Sequence, residues 1–113
     1  MSIRRIALAV AGALVAASAQ AQTEIQWWHS MTGANNDKVN ELAAKFNASQ
    51  KDYKVVAVFK GSYPESMTAA IAAFRGGNPP HILQVFEVGT ATMMAAKGAI
   101  VPVAKVMADA KEP

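Results

Sequence analysis

The chain has 113 residues, 11 Lys and Arg against 8 Asp and Glu, a formal charge of +3 and no Cys. The missing thiols exclude disulfides and thiolate-held metals, so stability has to come from packing. The basic surplus does not amount to a nucleic-acid footprint, because Arg4 and Arg5 belong to a leader and the remaining nine basic residues alternate with eight acids instead of clustering.

The leader is the first predicted element. Arg4 and Arg5 form a positive start, Ile6 to Ala17 an uninterrupted apolar and small-residue run, and Ala19-Gln20-Ala21 a small-x-small exit. This is the pattern of a secretory signal peptide over residues 1–21, cleaved near Ala21. The apolar run is too short and too Ala-rich for a transmembrane anchor, and no Cys follows it to carry a lipid. The expected product is an exported domain over residues 22–113, too small for two lobes; chains of this size bury only about 60–65% of their unfolded surface.

Residues 24–28 are apolar and aromatic enough for a strand, and Thr32-Gly33 opens a helix in which Val39, Leu42, Ala43 and Phe46 share one face. Residues 53–59, rich in β-branched and aromatic side chains, predict a second strand closing at Lys60-Gly61. Ser62 and Glu65 have the spacing of a capping box, and Pro64 falls where a first helical turn accepts it. The helix they start carries Met67, Ala70, Ile71 and Phe74 on one stripe, stops at Gly76-Gly77-Asn78 and is kept from resuming by Pro79-Pro80. A third strand is predicted over residues 81–86, a short helix over 91–97 with Thr90 as N-cap and Gly98 as stop, and a last one over 103–110. Strands separated by helices run parallel, so the fold class is α/β: a parallel sheet flanked by helices, with spatial order second, first, third.

In open parallel sheets, ligands collect at the carboxyl ends of the strands. Here those ends are Trp28-His29-Ser30, Lys60-Gly61-Ser62-Tyr63 and Glu87-Val88-Gly89-Thr90. Tyr63 and Trp28 offer flat apolar surfaces to C–H groups, and Glu87 offers acceptors to hydroxyls, which suits a small polyol or sugar. A carboxylate directly after an apolar strand is costly unless something pairs with it, so Glu87 stands out as functional. Trp27 and Trp28 point to opposite faces of a strand, so at least one belongs to the core. His29, His81, Met93-Met94 and Lys60 read more simply as structural or solvated residues. There is no nucleophile elbow, zinc-binding helix or phosphate loop, and a small exported hydrolase using His29, Ser30 and Glu87 is the rival of another class.

The runs Trp28-His29-Ser30-Met31, Lys60-Gly61-Ser62-Tyr63, Ala72-Ala73-Phe74-Arg75 and Ile82 through Met94 closely resemble the periplasmic glycerol-3-phosphate-binding proteins of bacterial ABC importers. The resemblance covers nearly the whole mature chain and separates it from sugar-binding relatives of the same fold, the runner-up reading. It implies a non-enzymatic periplasmic receptor with two α/β lobes that closes on glycerol-3-phosphate or a glycerophosphodiester and docks on permease subunits in the inner membrane, with no cofactor or metal. It also implies that Tyr63 and Glu87 contact the ligand. Such receptors run to several hundred residues, so this chain would be part of the first lobe and would bind weakly or not at all alone.

Overall fold

The computed structural model describes residues 21–113; the leader predicted over residues 1–21 lies, apart from Ala21, outside the described residues. The elements are β1 (Thr23–His29), α1 (Gly33–Ser49), β2 (Tyr53–Phe59), α2 (Tyr63–Arg75), β3 (Ile82–Leu83), α3 (Glu87–Ala95) and α4 (Val103–Ala110). The strands form one parallel sheet in the order β2-β1-β3. Thr23 to His29 pair in register with Tyr53 to Phe59, and Trp27 and Trp28 pair with Ile82 and Leu83. The predicted class and strand order are therefore those observed.

Stepping from β1 to β2 and then back across β1 to β3 reverses direction, so right-handed crossovers place α1 and α2 on opposite faces. On the α1 face lie Ile25, Trp27, Tyr53 and Val55, against Leu42, Ala43 and Phe46. Trp28 alternates to the other face, and α2 packs against β1. Among the described residues the buried apolar side chains are Trp28, Val39, Ala43 and Ala70. This is a thin core. Leu42 and Phe46, on the predicted inward stripe of α1, remain 51% and 43% exposed and line an apolar groove of about 400 Å³ with Ile25, Trp27 and Ile82.

The turns follow local chemistry. Gly61 has φ +82°, a conformation that residues with a side chain rarely adopt, and a Cβ there would also displace the Glu65 carboxylate, whose Oε2 would lie 2.5 Å away. That carboxylate accepts from the Ser62 amide at 2.7 Å and hydroxyl at 2.8 Å, the reach-back half of the predicted capping box, and these bonds hold its pKa below the usual value. At the far end of α2, Gly77 donates to Phe74 O and Asn78 to Ala73 O, the paired bonds of a glycine-terminated helix.

Two predicted boundaries are corrected. The third strand spans only Ile82–Leu83 instead of residues 81–86. Gln84 N still donates to Trp28 O at 2.9 Å, but β1 ends at His29 and the chain then turns into α1, leaving residues 85 and 86 no strand to pair with. The third helix begins at Glu87, with Phe86 as N-cap, and ends at Ala95. Thr90 is therefore an interior residue, its hydroxyl donating to Phe86 O at 3.3 Å, and is not the N-cap.

The outer edge of β2 is closed by two carboxamides that the sequence pattern did not single out. Gln50 Oε1 accepts from the Asp52 and Tyr53 amides at 2.9 and 2.8 Å, and its Nε2 donates to Tyr53 O at 2.7 Å. One residue pair further, Asn47 Nδ2 donates to Val55 O at 2.8 Å and Asn47 Oδ1 accepts from Val55 N at 2.7 Å. Together they stand in for a neighbouring strand at the amino end of β2 and blunt an edge that would otherwise be open to another chain. Asn47→Ala should lower stability by about 1–3 kcal/mol, because it strands a part-buried donor and acceptor at Val55; denaturant unfolding measures the loss, and amide exchange at Val55 should accelerate with it.

Candidate functional site

The carboxyl end of the sheet is drawn together by backbone and amide bonds. Lys60 N donates to His29 O at 2.9 Å, joining the ends of β1 and β2, and Ser30 N donates to Gln84 Oε1 at 3.0 Å, joining β1 to the segment after β3. The helices α1, α2 and α3 all start at this end, with Gly33, Tyr63 and Glu87 as their first residues. Their unpaired amides make the rim favourable for polar or anionic groups. A shallow cleft of about 270 Å³ opens here between the start of α1 and the end of β2, lined by Met31, Thr32, Gly33, Asn36 and Phe59.

Two of the three predicted contact residues open neighbouring helices at this rim, Tyr63 on α2 and Glu87 on α3. Tyr63 opens α2 with its ring 5.2 Å from that of Phe86, the planes inclined by 30°. Glu87 follows Phe86 directly, is exposed, and opens α3 where the helix dipole favours a negative charge. The carboxylate is thus free to accept hydrogen bonds, and the burial penalty anticipated for it after an apolar strand is avoided because the strand stops at Leu83.

Trp28 occupies a different layer. It is 8% exposed, its Nε1 donates to Gln26 Oε1 at 3.1 Å, and the Lys60 ammonium sits 3.9 Å from its ring centroid. Its donor is occupied and one ring face is covered by a cation, so neither is open to a ligand while Lys60 stays in place. Lys60, read from sequence as a solvated strand-end residue, is thereby held in place. Trp27 lies on the α1 face, as alternation requires.

His29 is 1% exposed and packs between Trp27 and Phe59, with ring centroids 6.2 and 6.1 Å away. Its Nδ1 accepts from Met31 N at 3.3 Å, so the neutral ring carries its proton on Nε2. Burial pushes its pKa below the usual 6.5. Ser30 Oγ is buried without a hydrogen-bond partner, so the nucleophile–base bond on which the hydrolase reading depends is not made. His81, at the opposite end of the sheet, locks β3 to β1: its Nδ1 accepts from Gln26 N at 3.0 Å and its N–H donates to Gln26 O at 3.1 Å.

Sequence reasoning missed Gln84 and Phe86. Gln84 was legible as the one polar residue in Ile82-Leu83-Gln84-Val85-Phe86, a position where an amide must find a partner. Phe86 looked like the last residue of a strand; only the early start of α3 turns its ring toward Tyr63.

No protein-family model matches the chain. It is 63% identical over 89 residues to an sn-glycerol-3-phosphate-binding periplasmic protein of Rhizobium meliloti, a match covering 79% of this chain and 21% of the relative. Proteins of the same name from Agrobacterium fabrum and Yersinia enterocolitica are each 56% identical, over 112 and 110 residues, covering 95% and 96% of this chain and 26% and 25% of theirs. The resemblance read from the Trp28-His29-Ser30-Met31 and Glu87 to Met94 runs is borne out, and the chain spans about a quarter of the length of the relatives it matches.

Two outcomes follow from this geometry. Gln84→Ala should destabilise the fold by about 1–2 kcal/mol, since the half-buried Ser30 amide loses its acceptor; faster hydrogen exchange at Ser30 reports it. Because His29 resists protonation in the fold and not in the unfolded chain, its contribution to stability is complete above pH 6.5 and is lost as the pH falls below that value. Thermal midpoints recorded between about pH 7.5 and 5 should decline, and the decline should be shallower in His29→Gln.

Proposed function

We propose that this chain forms part of an exported receptor that captures sn-glycerol-3-phosphate or glycerophosphodiesters in the periplasm and delivers them to the permease subunits of an ABC importer. The observation that carries the reading is the coincidence of two independent lines. The relatives at 56–63% identity are sn-glycerol-3-phosphate-binding periplasmic proteins, and the rim where Tyr63 and the Phe86-Glu87 corner meet is where a parallel sheet offers a ligand its contacts. The leader pattern over residues 1–21, with cleavage near Ala21, agrees with the periplasmic naming of the relatives.

In this reading Tyr63 packs its ring on the glycerol carbons and hydrogen-bonds through its hydroxyl, while the Glu87 carboxylate accepts from the glycerol hydroxyls. Trp28 is a further contact in this reading, reached once Lys60 leaves its ring face. A phosphate beside Glu87 would be repelled, so the anionic end of the ligand points away from this carboxylate toward the facing part of the full-length receptor. Half a cleft leaves the ligand solvated and its polar groups imperfectly paired, so the chain by itself binds weakly or not at all.

Calorimetric titration tests this. In the full-length Rhizobium meliloti relative carrying this chain in place of its matching segment, Tyr63→Ala and Glu87→Gln should each weaken glycerol-3-phosphate binding tenfold or more, about 1.4 kcal/mol. Unchanged affinity in both would overturn the site, displacement of the ligand by simple sugars would favour the polyol reading, and tight binding by the isolated 113-residue chain would overturn the half-cleft argument.

A further inference from the structure

The contact that holds Tyr63 involves more of the fold than the stacked rings. Phe86 is the N-cap of α3, in extended conformation, and its carbonyl accepts from Gly89 N at 3.0 Å and from Thr90 Oγ1 at 3.3 Å. Its backbone is thus anchored to the first turn of the helix that also carries Glu87. On the far side, a Cβ built on Gly89 would lie 2.8 Å from Phe86 Cε1, 3.2 Å from Phe86 Cδ1 and 3.1 Å from Met67 Sδ. Met67 stands four residues after Tyr63, on the same face of α2. The Phe86 ring is therefore in contact with Tyr63 and lies against Gly89, while Met67 of α2 closes on the same glycine.

Glycine is disfavoured inside a helix, and Gly89 is buried within α3 without a left-handed backbone conformation to explain it. What it supplies is space. With no side chain at 89, the Phe86 ring and Met67 approach the axis of α3, and α2 and α3 come close enough for Tyr63 and Phe86 to stack.

We propose that Phe86 and Gly89 are positioning residues for ligand recognition: Gly89 provides the socket for the Phe86 ring, and that ring holds the Tyr63 phenol against the start of α3, the helix that carries Glu87. The inference rests on the reading of Tyr63 and Glu87 as ligand contacts and deepens it. It makes recognition of the glycerol moiety a property of the joint between α2 and α3. A ligand that meets Tyr63 there finds the aromatic ring already ordered and does not have to immobilise it on binding.

The experiment is a double-mutant cycle in the grafted full-length receptor, reading glycerol-3-phosphate affinity by calorimetry and the thermal midpoint in parallel. Phe86→Leu, which keeps an apolar side chain but removes the ring, should weaken binding roughly five- to tenfold, and Phe86→Tyr should recover most of that loss. Gly89→Ala, which pushes the ring out of its socket, should weaken binding in the same direction and serves where Phe86→Leu does not fold. In a Tyr63→Ala background neither change should weaken binding further, because the effect passes through Tyr63. If Tyr63→Ala weakens binding while folded Phe86→Leu and Gly89→Ala do not, the positioning role is overturned and the contact role survives. Equal losses with and without Tyr63 would also overturn it. If Tyr63→Ala itself leaves affinity unchanged, the contact reading fails first and the positioning role with it.

Discussion

The parallel pairing of β1 with both of its neighbours is the constraint on which the described structure depends. β1 alone has a strand on each side, and from its carboxyl end the chain enters α1. The bonds that shape the rim start from the same few residues: His29 O receives Lys60 N, Trp28 O receives Gln84 N, and Ser30 N finds the Gln84 side chain. Because a parallel ladder aligns strand ends of the same polarity, it brings three helix starts to one edge, which is why Tyr63 and Glu87, 24 positions apart in sequence, belong to one surface.

The periphery of the sheet shows how such a small strand set remains in register. β2 is an edge strand whose outward polar groups at Tyr53 and Val55 are met by Gln50 and Asn47 instead of by another strand. β3 is an edge of only two paired residues, reinforced by the two-way bond between His81 and Gln26 before it and by Gln84 after it. On the α1 face the apolar side chains do not close: Leu42, Phe46 and Ile82 remain substantially exposed around the groove beside Trp27. The apolar groups arranged on this face of the sheet are thus only partly covered by α1.

The site itself is built from residues with unlike degrees of constraint. Trp28 and His29 are buried and hydrogen-bonded, and they keep the end of β1 rigid from opposite faces. Tyr63 is half-buried and held by Phe86, whereas Glu87 is exposed at a helix start. Under the proposed function this gradation matters because side chains already restrained lose less freedom on binding.

Periodicity and turn chemistry determined the class, the full extents of β2 and α4, the capping residue of α2 and its glycine stop, because each of these depends on neighbours within a few positions, while the strand order followed from the hand of crossovers between strands joined by helices. That Tyr63 and Glu87 fall at the carboxyl edge of the sheet was legible for the same reason, although both open helices instead of lying in strand-end loops. The length of β3, the start of α3 and the role of Thr90 were not, because a strand persists only where another backbone lies beside it, and β1 turns away after His29. Nor could local pattern reveal that Gln50 and Asn47 replace a missing strand, that Lys60 caps Trp28, or that Phe86 meets Tyr63 through the space left at Gly89. Apart from the Gln50 bonds, which reach only two and three positions along the chain, those are contacts between elements, and they exist only once the crossovers have set which faces meet.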